Sequence, residues 1–178
     1  AMTHYLVSGA VVLSGILGLC MLSGAHREAP LVGHQKFGPE VSTLEAQVAR
    51  QPHDAPALAS LAQHYLDRGA PGMAIAALAR APEPVRSDPS VSHVWAVALL
   101  HEGNASQALD QEDRTLAACS RLPCSPWLVA SALRHREFAS ALVAGGVEDY
   151  RRDPDATLLA YGRVSRNLVA VLDPAALD

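Results

Sequence analysis

From residue 40 onward, apolar residues recur every three or four positions and no window keeps the strict alternation of a half-buried strand. This pattern predicts an all-α body. The helices expected are 43–50, about 55–68, 71–81, 89–102, 105–119, 126–135, 137–144 and 156–172. Local signals place their ends: Ser42 and Asp54 stand where side-chain caps belong, and Pro71 and Pro89 stand at first helical positions. Gly69 and Gly103 follow their helices, where a left-handed residue ends the turn at low cost. Gly145-Gly146 breaks a helix and Asp153-Pro154-Asp155 starts another.

The pattern also repeats. With a shift of 34 residues, Asp54/Asp88, Ala62/Ala96, Leu66/Leu100, Gly69/Gly103, Ala74/Ala108 and Arg80/Arg114 coincide, and Leu61/Trp95, Tyr65/Leu99 and Ile75/Leu109 stay large and apolar. Two short helices cannot bury their apolar faces alone, so such units stack on their neighbours and leave an extended surface for partners.

The stretch 55–81 resembles a tetratricopeptide repeat: Leu58 and Leu61 large, Ala62 small, Tyr65 aromatic, Gly69 at the turn, Ala74 small, Leu78 apolar, Ala81 small. The alanines let paired helices touch, while Tyr65 and Leu78 fill the space between hairpins. The second copy keeps Trp95, Ala96, Leu99, Gly103 and Ala108 but carries Ser92 and Glu112 where large apolar residues are usual, which reads as degeneracy at its ends. Residues 41–119 follow the pattern; residues 120–178 read as irregular hairpins and a C-terminal cap. The resemblance implies protein–protein binding in a concave groove. Its lining maps to Ala59, Gln63, His93, Val97 and His101, a small and nearly uncharged surface that lacks the Lys, Arg and Asn used to clamp a carboxyl terminus.

Ahead of the body, the nineteen residues from Tyr5 to Ser23 hold no acid, Lys or Arg. As a helix they would span about 28 Å, near a bilayer's hydrocarbon thickness. Residues 1–25 therefore read as a membrane helix or a signal peptide, Ser23-Gly24-Ala25 offering small residues for cleavage. Ala10, Ser14 and Gly18 share one face, where small side chains permit close helix packing in lipid. Residues 26–40, with two prolines and two glycines and no periodicity, read as a flexible linker. Its first six residues, HREAPL, resemble the mature start of a family of exported bacterial proteins, which implies export.

Composition and charge narrow the function. A net charge of −4, with thirteen arginines and one lysine interspersed among acids, excludes the basic footprint of a nucleic-acid binder. Cys119 and Cys124 bracket a short loop after a helix, and either close as a disulfide in an oxidising compartment or stay as two thiols. No CxxC, HExxH, GxSxG or phosphate loop is present. His93 and His101 lie eight residues apart, more than ~10 Å along a helix, too far to share an ion. Residues 134–137, Arg-His-Arg-Glu, read as a solvated, charge-paired face. The sequence thus predicts no catalytic residue, no cofactor and no metal. It predicts a membrane-anchored, extracytoplasmic scaffold that holds a protein partner within a larger assembly. The alternative is a structural subunit of a pilus-like filament, self-associating through bundled N-terminal helices.

Overall fold

The computed structural model describes the backbone of residues 38–172 and the side chains of residues 38–164. The apolar segment 1–25, with Ala10, Ser14 and Gly18, and most of the expected linker lie outside the described residues. Every regular element among the described residues is a helix: α1 Pro39–Arg50, α2 Ala55–Asp67, α3 Pro71–Ala79, α4 Glu83–Arg86, α5 Pro89–Glu102, α6 Ala105–Cys119, α7 Pro126–Ala144 and α8 Pro154–Leu172. None of these is long and apolar enough to cross a membrane.

Helices α2 and α3 form one antiparallel hairpin and α5 and α6 a second, which packs on the first through α5. Helix α1 covers α2 at one end; α7 packs on α6, and α8 on α7, at the other. Ala62, Ala74, Ala96 and Ala108 are all completely buried, so the four small positions common to both hairpins are where helices approach most closely. Leu58, Leu61, Tyr65 and Leu78 fill the first hairpin's core, and Val91, Leu99 and Leu100 that of the second. The Tyr65 hydroxyl donates to Glu45 of α1, tying the first helix to the hairpin. That acceptor and burial raise the Tyr65 pKa, with burial the larger cause.

Caps set the helix starts. Asp54 accepts from the Ala57 N–H at 3.0 Å, Asp88 from Ser90 at 2.9 Å, and Ser125 from Leu128 at 3.2 Å. The start of α6 is held from a distance: the Glu148 carboxylate accepts from both the N–H and the hydroxyl of Ser106, at 3.1 Å each. Gly69 and Gly103 adopt φ of 69° and 87°, the left-handed conformation that glycine enters without strain.

Three departures from the sequence expectation exceed two residues. The first helix begins at Pro39 rather than 43, because proline presets the helical φ at a position whose N–H needs no partner. Ser42 therefore lies inside the helix and donates to the Pro39 carbonyl at 2.9 Å instead of capping. The helices expected at 126–135 and 137–144 are one continuous α7, since Arg136 is helix-compatible and is held by Asp113 at 2.6 Å. Residues 83–86 form the short α4, which the sequence reading left out.

Candidate functional site

The second hairpin carries polar residues at two places where the first carries leucine, and both are buried. Leu58 and Leu78 of the first hairpin correspond to Ser92 and Glu112 of the second, 3 % and 0 % exposed. Ser92 finds a partner in Gln111, its hydroxyl 3.0 Å from the side-chain oxygen. Glu112 faces His93, whose Nδ1 lies 2.9 Å from Oε1 and 3.1 Å from Oε2. With Glu112 ionised, the His93 Nδ1–H donates to it. On the other side His135 of α7 brings its Nδ1 to 3.7 Å from Oε1, beyond hydrogen-bond distance. That nitrogen is buried and has no hydrogen-bond partner. One ligand atom from each of the three side chains falls within 4.8 Å of the others.

Rigid elements hold the cluster. His93 stands in the second turn of α5, Glu112 in the middle of α6, and His135 in the middle of α7. The two imidazoles lie 5.3 Å apart between centroids and tilted by 31°, and Trp127 meets His93 edge-on at 6.4 Å. The His135 side chain is 37 % exposed, so the cluster has one side open to solvent. Burial raises the Glu112 pKa above the ordinary carboxylate value, and the His93 hydrogen bond and charge work in the opposite direction. Burial also lowers the His135 pKa to about 4, helped by positive charge on His93, Arg134 and His101. His135 is thus neutral at physiological pH and carries a lone pair.

Beside the cluster lies a cleft of about 330 Å³ between α5, α7 and α8. Val97 and His101 line it, with His135, Phe138, Tyr150 and Tyr161. Phe138 meets Tyr150 and Tyr161 edge-on, each at 6.1 Å between centroids, which makes an aromatic wall. Exposed apolar side chains continue along α8 at Leu158 and Leu159.

The predicted groove residues therefore separate. Val97 and His101 reach the cleft. Ala59 is half-buried away from it, and Gln63 is exposed and donates to Asp67 at 2.8 Å. His93 is 4 % exposed and does not line a groove, because the buried Glu112 draws its ring into the core. His135, expected on a solvated face, is turned inward while its neighbour Arg136 makes the surface pairs. The sequence sets His93 and His101 too far apart to share an ion; the structure brings His93 to Glu112 and His135 instead. The signal that pointed there was a charged residue at an apolar place of the repeat. Cys119 and Cys124 are joined as a disulfide, with Cα atoms 5.3 Å apart, closing the turn between α6 and α7.

Comparison with protein-family models, with curated proteins and with solved structures finds no match.

Proposed function

We propose that this protein is a membrane-anchored, extracytoplasmic scaffold of the tetratricopeptide type, whose body holds an apolar segment of a protein partner. The observation that carries this reading is the cleft between α5, α7 and α8, where Val97 and the rings of Phe138, Tyr150 and Tyr161 offer apolar surface beside the polar His101. A concave apolar surface with a few polar groups, presented by stacked hairpins, suits a peptide or helix better than a polyanion. The net charge of −4 agrees. The Cys119–Cys124 bridge supports placement in an oxidising compartment, and the uncharged stretch from Tyr5 to Ser23 supports an anchor. No chemistry is assigned to the cleft.

The test is recovery of a partner from membranes with the full chain as bait, in parallel with Val97→Asp and Tyr161→Asp. A defined membrane-associated protein should be recovered by the unaltered chain and lost with both variants. Recovery of the same set by all three would sink the assignment of the cleft. Alkylation of intact membranes before and after reduction checks the compartment: Cys119 and Cys124 should react only after reductant.

A further inference from the structure

The His93–Glu112–His135 cluster is unfinished as a hydrogen-bond network. A carboxylate with no solvent exposure carries a desolvation cost that good partners must offset. His93 Nδ1 reaches both oxygens of Glu112, at 2.9 and 3.1 Å. His135 brings a second buried nitrogen to 3.7 Å from Oε1, the oxygen nearest His93, and that nitrogen makes no bond. A buried polar atom left without a partner calls for a reason, and a bound ion would be one. Two imidazole nitrogens and a carboxylate oxygen within 4.8 Å of one another are a set that a cation can draw together.

We propose that His93, Glu112 and His135 bind one first-row divalent transition-metal ion, with zinc the ion this donor set suits, and that its fourth position is open to water. The chemistry of the donors selects the class: two imidazoles and one carboxylate match zinc, whereas calcium and magnesium take mainly oxygen ligands. The geometry agrees. Four ligands about 2.1 Å from a tetrahedral ion stand roughly 3.4 Å from one another. The observed separations from Glu112 Oε1, 2.9 Å to His93 and 3.7 Å to His135, bracket that value. Binding would use the His93 Nδ1 lone pair, the neutral ring then carrying its proton on Nε2, and would give the His135 nitrogen a partner. The three ligands sit on three different packed helices, so the site would also staple α5, α6 and α7 together. The half-exposed edge of His135 supplies the entry path and the water position. This departs from the sequence expectation of no metal, and it stands independently of the scaffold reading.

The decisive experiment uses the full chain in detergent, stripped with a chelator, and titrated separately with Zn2+ and Co2+. One equivalent of zinc should bind, and cobalt should give the intense visible absorption of a four-coordinate ion. His135→Ala should weaken zinc binding by roughly tenfold or more and abolish the cobalt band, with the helical circular dichroism unchanged, because His135 is only half buried. Glu112→Gln should do the same where it folds. Absence of a stoichiometric ion would overturn the proposal. So would an ion bound with unchanged affinity by His135→Ala, which would place it on other histidines of the chain.

Discussion

The two hairpins are built from one pattern and solve different problems with it. The first, α2–α3, is an ordinary apolar core: Leu58 and Leu78, 2 % and 0 % exposed, seal it, and Ala59 sits half-buried beside them. The second, α5–α6, puts Ser92, Glu112 and His93 at the same three places and buries all of them. Burying a leucine stabilises a fold by about 1.5–3 kcal/mol, whereas an ion pair of similar volume often contributes nothing or less. The shared alanines at Ala62, Ala74, Ala96 and Ala108 show that the backbone did not demand the change. The second hairpin is therefore expected to be the less stable of the two. The metal site proposed above would account for a polar cluster at that position.

The sharpest way to break this comparison is to make the second hairpin copy the first. His93→Ala leaves Glu112 buried without its partner and should destabilise the body by about 3–5 kcal/mol. The double variant His93→Ala, Glu112→Leu restores the first hairpin's Ala59 and Leu78, and should recover most of that loss. Leu78→Ala, the matching truncation in the first hairpin, should cost about 2–5 kcal/mol through the cavity it leaves. Urea unfolding of the metal-free chain reads all three. A double variant no more stable than His93→Ala alone would show that the polar cluster belongs to the fold rather than to a function.

The turn glycines sharpen it further. Both are left-handed, yet a Cβ at Gly69 meets nothing within 4 Å, while at Gly103 it would fall 2.6 Å from Asp149 Cγ and 2.8 Å from its Cβ. Gly69→Ala should cost about 1 kcal/mol from backbone strain alone. Gly103→Ala should cost clearly more, because the loop 145–149 must shift, and that loop also holds Ser106 at the start of α6. Equal shifts in thermal midpoint would contradict the close approach.

Where the hairpins agree, they should respond alike. Ala62→Leu and Ala96→Leu each force a larger side chain between paired helices and should destabilise by about 1–3 kcal/mol. Gln63→Ala, on the exposed side of α2, should be close to neutral.

What could be read from the sequence follows from the range over which each signal acts. Helix starts and stops at Asp54, Gly69, Pro71, Asp88, Pro89 and Gly103 were legible because caps, glycines and prolines act within a turn of where they stand. The small positions were legible because the shift of 34 displays each one twice. α7 was split because the weakening repeat register suggested a boundary that no residue between 135 and 137 enforces. The cluster was not legible as such. Its members come from three helices, with His93 and Glu112 already 19 positions apart, and only tertiary packing brings them together. Its trace was Glu112 at an apolar place, which a purely structural pattern treats as noise.

Acidification separates the hairpins as well. The His135 pKa is lowered to about 4 in the folded body, first by burial and then by the charges of His93, Arg134 and His101, against 6.5 in the unfolded chain. Between those values the unfolded chain holds a proton that the folded one refuses, so His135 makes stability fall as pH drops from 6.5 towards 4. Glu112 acts with the opposite sign: its raised pKa lets the folded body take up a proton before the unfolded chain does. Removing His135 should therefore flatten or reverse the acid loss, leaving Glu112 to dominate the cluster's share. The first hairpin has the non-titrating Leu78 at the place of Glu112, so Leu78→Ala should lower stability equally at both ends of the range. Urea midpoints at pH 7.5 and 4.5, taken with chelator present, measure this for the unaltered chain, His135→Ala and Leu78→Ala. The unaltered chain and Leu78→Ala should lose the same amount on acidification and His135→Ala less. Parallel losses in all three would mean that solvent screens the half-exposed ring and that the acid sensitivity of the body lies elsewhere.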